Sequence, residues 1–181
     1  SLGTTGFTDL NTTDHYYQLI EGEADIQSLN RKLNAQTEVC FDTETTSINA
    51  VAAELVGIAF SFAKGKAYYV NLPTDREEVE KRLQLLSPFF ENENIVKIGQ
   101  NIKYDIEVLM NYGIPVKGEL FDTMLAHYLI QPDMRHNMDV LAETYLSYKP
   151  QSIEELIGKK GKNQGSMRDV DPVKVAEYAG E

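Results

Sequence analysis

The sequence predicts an α/β fold: a mixed sheet, antiparallel in its first half and parallel later, flanked by helices. Three observations carry that prediction. Strand-like runs follow one another between residues 38 and 71 with short connections, the pattern of an antiparallel meander. Beyond residue 74, runs with apolar residues at helical spacing alternate with a short β-like run. The 181 residues, 42% of them hydrophobic, suffice for one domain with a substantial core.

Each element has a local reason. Residues 1–14, rich in Thr, Gly, Ser and Asp without periodicity, are expected to be a flexible N-terminal segment, with the domain occupying 15–181. The chain opens on Ser, as expected of a piece excised from a longer one. Residues 16–20 read as a strand, and 23–35 as a helix presenting Ile26, Leu29 and Leu33 on one face. The strand at 38–43 carries Cys40, expected to be a small core residue and no nucleophile. Residues 54–62 and 66–71 are strands joined by a turn at Lys64-Gly65. Thr74 and Glu77 predict a capping box, opening a helix with Val79, Leu83 and Leu86 inward and a stop near Ser87-Pro88. Residues 95–98 are a short buried strand, and 101–112 a helix ended by Gly113 and Pro115. Helices follow at 122–131, 138–146 and 152–157, and a last one opens with Pro172 at its first position. Asp122 is expected to cap its helix and not to act as a metal ligand. His127 and His136 have no partner pattern and are expected to be structural or surface residues. Residues 158–165 form a basic, glycine-rich loop.

Composition narrows the function. A net charge of −11 argues against tight, nonspecific DNA binding, which needs a basic patch. It weighs less against a nuclease whose bound cations supply the local positive charge. No apolar run is long enough to span a bilayer, so no membrane partner is expected. A single cysteine excludes an internal disulfide and fits a reducing compartment.

The chemistry is concentrated in Phe41-Asp42-Thr43-Glu44-Thr45. Strand side chains alternate, so Asp42 and Glu44 share one face at the end of an apolar strand. Two unpaired carboxylates that close repel unless a cation lies between them, and hard oxygen ligands suit Mg²⁺ or Mn²⁺. In Gly99-Gln100-Asn101-Ile102-Lys103-Tyr104-Asp105, a strand end passes into a helix whose first turns carry Asp105, one turn beyond Asn101. Such strand ends are where active sites of open α/β sheets form. Asp105 is thus placed either to join the pair or to serve as a helix-dipole partner.

These stretches, followed by Phe121-Asp122-Thr123-Met124, Arg135-His136-Asn137-Met138-Asp139, Lys160-Gly161-Lys162-Asn163-Gln164 and Tyr178-Ala179-Gly180-Glu181, resemble in identity and order the 3′–5′ exonuclease domain of bacterial family A DNA polymerases. The resemblance implies a ribonuclease H-like fold and a proofreading exonuclease of the DEDD type. It implies Asp42, Glu44 and Asp105 as metal ligands, two divalent cations as cofactors, and Tyr178 as the residue that orients the attacking water. Ile48 matches an apolar wedge against the terminal base; Thr43, Gln100, Asn101, Tyr104 and Arg135 match positions near the substrate. The implied partners are a single-stranded DNA 3′ end and a polymerase domain of the same parent chain, in the bacterial cytoplasm at the nucleoid. Two departures stand out. Gly165-Ser166-Met167 replaces an aromatic that stacks on the penultimate base, and the fourth acidic ligand would lie just past Glu181, which implies weak activity for this piece alone. A catalytically dispensable scaffold domain and a free-standing RNA-trimming exonuclease are the competing readings.

Overall fold

The computed structural model describes residues 6–181. Its six strands are β1 (Tyr16–Ile20), β2 (Glu38–Thr45), β3 (Leu55–Ala63), β4 (Lys66–Asn71), β5 (Val96–Gly99) and β6 (Leu120–Asp122). They form one sheet in the order β1-β4-β3-β2-β5-β6. β2, β3 and β4 make the antiparallel meander, while β1 joins β4, β5 joins β2 and β6 joins β5 in parallel.

One face of the sheet is covered by α1 (Glu23–Asn34), α2 (Arg76–Phe90) and α3 (Ile102–Asn111). Their apolar stripes, among them Ile26, Leu29, Leu33, Val79, Leu83, Leu86, Val108 and Leu109, close over Phe41, Ile58 and Phe60 in the main core. The opposite face holds a smaller cluster of Val56, Ala59, Tyr69, Met167, Val175 and Ala176, under α7 (Pro172–Gly180). Strand alternation divides β2 between the two: Val39 and Phe41 enter the main core, whereas Cys40 is exposed on the other face. The expectation that Cys40 is a core residue therefore fails by one residue of register.

Three further departures have simple causes. α2 begins one residue later than expected: Asp75 is the cap, accepting from the Glu78 amide at 2.9 Å, because a carboxylate at that position also meets the positive end of the helix dipole. The helix also runs through Pro88 to Phe90. Proline cannot bond the Gln84 carbonyl, but the Ser87 hydroxyl donates to it at 3.0 Å, and the fully buried Phe89 and Phe90 repay the extra turn. Leu120–Asp122, not expected to be a strand, is the edge strand β6, leading directly into the helix that Asp122 caps. The helices after it are α4 (Thr123–Ile130), α5 (Met138–Leu141), continued by a π-turn over 142–146, and α6 (Ile153–Ile157).

Of the segment expected to be flexible, residues 1–5 lie outside the described residues. Thr8 pairs with Tyr148, its amide donating to Ser147 O at 2.9 Å and its carbonyl accepting from Lys149 N at 2.8 Å. Lys97 is buried completely, donating from Nζ to the Lys117 carbonyl at 2.6 Å and to that of Asn92; burial brings its pKa down to about 8. No described helix is long and apolar enough to cross a membrane.

Candidate active site

β2, β5 and β6 run parallel, so their C-terminal ends, carrying Glu44, Gln100 and Asp122, open on one edge of the sheet. β5 stops pairing with β2 at Cys40, which leaves the Thr43 amide free of that ladder. Asp105, on the first turns of α3, takes it up: its Oδ1 accepts from Thr43 N at 2.9 Å and from Thr43 Oγ1 at 2.5 Å. Asp105 is only 1% exposed, so the bonds lock its carboxylate against the strand between Asp42 and Glu44. Asp105 also remains an acidic residue in the first turn of α3, so the tie across the sheet edge stands beside the helix-dipole role.

Burial raises all three carboxyls, helped by neighbouring acids: Asp105 for Asp42, Asp42 and Asp105 for Glu44, and Asp122 for Asp105. Asp42 and Asp105 are pushed well above the usual carboxylate range, Asp42 by burial and the Asp105 charge, and Asp105 by burial against the pull of Thr43. Glu44 rises to about 8, through burial and then the charges of Asp42 and Asp105. Among the described residues no three His, Cys, Asp or Glu side chains are already gathered to enclose an ion. The donor set still fits a hard divalent cation: three carboxyl groups, two of them on one rigid strand, none with a cationic partner among the described residues. Tyr178, on α7, is half-buried, and Glu44 and Asp42 are the first two charges acting on its hydroxyl, which with burial hold it protonated.

Other predicted residues divide between exposed positions and internal ties. Ile48 is 97% exposed on the loop after β2, and Arg135 is exposed with no ion pair among the described residues. Thr43 is buried, its hydroxyl committed to Asp105. Tyr104 bonds Thr45 Oγ1 at 2.5 Å and the Ser47 carbonyl, bracing the loop that carries Ile48. Gln100 links Thr123 Oγ1, at 2.5 Å, to the His136 carbonyl, at 2.6 Å, beside Arg135. Asn101 is the exposed cap residue of α3, in the left-handed region at φ 57°. Met167 is 3% exposed inside the smaller core, so it offers no surface for a base to contact. Glu181 accepts from Tyr148 Oη at 2.5 Å and Gln151 N at 2.8 Å.

Asp122 does more than its sequence context suggests. It caps α4 through Met124 N at 2.9 Å and Leu125 N at 3.4 Å, and also accepts from Asn101 N at 3.0 Å and Ile102 N at 3.1 Å at the start of α3. The signal for the first role was its position before an apolar helix; the second depends on the parallel pairing of β5 and β6 and had no local signal. Asp122→Ala is expected to cost about 1–4 kcal/mol, the worth of two caps, measured by urea denaturation. A loss no larger than that of one exposed surface substitution would contradict the double role. His127 and His136, expected to be structural, meet through their Nδ1 atoms at 2.6 Å, with His127 Nε2 3.1 Å from Tyr145 Oη.

A mixed sheet with buried carboxyls at the ends of its parallel strands defines the class: an α/β fold with its candidate site at the carboxyl edge of the sheet. Residues 17–181 match the model of a family described as 3′–5′ exonuclease. The chain belongs to that family and is a hydrolytic nuclease domain. It is 35% identical over 177 residues to DNA polymerase I of Pseudomonas aeruginosa, an alignment covering 91% of this chain and 19% of that protein. The chain thus spans about a fifth of the length of that relative. The catalytic core of RRP6 from Trypanosoma brucei shares the fold, with a TM-score of 0.70 at 20% identity over 99% of this chain and 46% of that one. Brucella melitensis NrnC with bound Mg²⁺ superposes with a TM-score of 0.64 at 18% identity, over 93% and 74% of the two chains.

Proposed function

We propose that this domain removes nucleotides from a single-stranded DNA 3′ end, as the proofreading exonuclease of a bacterial DNA polymerase I whose polymerase domain lies on the same parent chain. The observation that carries the reading is the Asp42, Glu44 and Asp105 cluster, in which burial and repulsion leave three carboxylates short of a positive partner. A scaffold has no use for that arrangement, since removing the charges would stabilise it.

Asp42, Glu44 and Asp105 would hold two divalent cations, Mg²⁺ or Mn²⁺. When bound, such cations supply the charge that makes water acidic enough to attack a phosphodiester and that offsets the departing 3′ oxygen. The chain's own residues do the rest. Tyr178 stays protonated and aligns the attacking water by hydrogen bonding, since a hydroxyl so hard to ionise is no base near neutrality. Ile48 presses on the terminal base to part it from its neighbour. Arg135 takes a phosphate in two parallel hydrogen bonds, with its loop held by Gln100 through the His136 carbonyl. Asn101 and Tyr104 line the approach, Tyr104 by fixing the Ile48 loop. The product is a deoxynucleoside monophosphate and a strand shortened by one.

The test is digestion of 5′-labelled single-stranded DNA and RNA of one sequence with Mg²⁺ or Mn²⁺, by the full-length protein that carries this domain and by its Asp42→Ala variant. A ladder shortened from the 3′ end, seen on DNA and lost in Asp42→Ala, is the expected result. Faster cutting of RNA would move the substrate to the RNA-trimming reading, and no Asp42-dependent cutting of either strand would favour the scaffold.

A further inference from the structure

We infer that Tyr69 is a positioning residue for Glu44: its hydroxyl, unpartnered in the metal-free fold and seated beside Glu44, takes up that carboxylate when a divalent cation draws it into place, and so fixes the direction in which the carboxylate meets the ion. The inference rests on the metal-ligand reading above. It comes from three polar groups in one place that the fold leaves without partners. Tyr69 is completely buried, yet its hydroxyl has no hydrogen-bond partner among the described residues. Arg168 spends Nη1 on the Leu72 carbonyl at 2.8 Å and the Pro73 carbonyl at 3.2 Å, and Nη2 on the Leu55 carbonyl at 2.7 Å, while its buried Nε is unpartnered. Glu44, 8% exposed, makes no side-chain hydrogen bond among the described residues either. A buried polar group without a partner costs about 1–3 kcal/mol, so two such donors beside a carboxylate call for an explanation.

Sheet register puts them together. Glu44 on β2 lies opposite Gly57 on β3, and Tyr69 on β4 lies opposite Ala59, two residues along. Directly opposed residues share a face, with Cβ atoms about 4.5–5.5 Å apart. A Cβ on Gly57 would fall 2.2 Å from the Tyr69 hydroxyl oxygen and 2.3 Å from its ring carbon. The Tyr69 phenol therefore fills the place of a side chain at 57, reaching across β3 toward Glu44, and only glycine leaves it room. Glu44 and Arg168 are the two charged groups close enough to act on that hydroxyl.

The Arg168 guanidinium is anchored to three backbone carbonyls with its Nε–H left over, and the Tyr69 O–H, lying over the Gly57 position beside Glu44, is the donor held in reserve for that carboxylate. A hydrogen bond to a ligand's outer oxygen orients the inner one, and losing such a bond usually costs about 10–100-fold in metal affinity or activity. Tyr69→Phe removes only the oxygen and keeps the ring in the smaller core.

The experiment is titration of the chain with Mn²⁺, reading free Mn²⁺ by electron paramagnetic resonance, for the parent, Tyr69→Phe, Gly57→Ala and Glu44→Gln, each checked for a cooperative melt. The expected result is a loss of about 10-fold in Mn²⁺ affinity for Tyr69→Phe at an unchanged or higher Tm, with kcat for 3′-end removal reduced and KM for DNA unchanged. Gly57→Ala, which drives the phenol out of its place, should weaken Mn²⁺ in the same direction and serves as the second measurement if Tyr69→Phe melts without cooperativity. Parent-like Mn²⁺ affinity in folded Tyr69→Phe, alongside weakened Glu44→Gln, would overturn the role of Tyr69 alone. Parent-like affinity in Glu44→Gln as well would overturn the metal-ligand reading beneath it.

Discussion

Asp105→Asn is expected to lower the rate of 3′-end removal by about 10³-fold or more, some 4 kcal/mol of barrier, while leaving the domain folded. The amide oxygen of asparagine can still accept from the Thr43 amide and hydroxyl, so the strand-to-helix tie survives. What is lost is the charge, and with it one of three oxygens able to hold a divalent cation. Because burial and then the Asp122 charge work against an ionised Asp105, the metal-free variant should melt at least as high as the parent near neutrality. Activity assays on the 5′-labelled strand and a calorimetric melt test both halves. A variant that is inactive because it unfolds, or one that retains most of its activity, would sink the assignment of Asp105 as a ligand.

Without divalent cations, the parent should lose stability as pH rises through the window set by Glu44. In the unfolded chain that carboxyl titrates at its ordinary 4.5; in the fold it is pushed up to about 8. Between those values the folded state holds a proton that the unfolded state has released, so unfolding is favoured by each step up in pH. The contribution is fully present below about 4.5 and gone above about 8. Within the window the slope reaches about 1.4 kcal/mol per pH unit for each such group. Asp42 and Asp105, raised in the same sense, steepen it. Saturating Mn²⁺ should restore Tm most strongly at the upper end of the window, and Glu44→Gln should flatten the metal-free profile. A metal-free Tm that is level or climbs between pH 5 and pH 8 would contradict the buried, repelling cluster.

Much of this was legible along the chain because the signals are local. Alternation in β2 told that Asp42 and Glu44 share a face, and Pro172 after Asp171 marked the start of α7 to within a residue. What was hidden depends on contacts between distant segments. The Thr43–Asp105 tie spans 62 positions, and the second capping role of Asp122 spans 21. The same holds for Tyr104 and Gln100, whose motif positions suggest contact with substrate but whose polar atoms are spent on Ser47, Thr123 and His136. Cys40 and Met167 show the converse limit. Their polarity could not say which side of the sheet is covered, and one proved exposed while the other proved buried.

The shared capping by Asp122 has a mechanical meaning. The first turns of α3 and α4 hang from one carboxylate, whose Oδ1 accepts from both, so neither can swing without taking the other along. Asp105 sits one turn into α3 and Gln100 is bonded to Thr123, the first residue of α4, so the aim of a ligand and the seat of the Arg135 loop form a single degree of freedom. On the proposed function, a strand end that displaces that loop on arrival would move Asp105 by the same motion, making this corner of the fold a lever with Asp122 as its pivot.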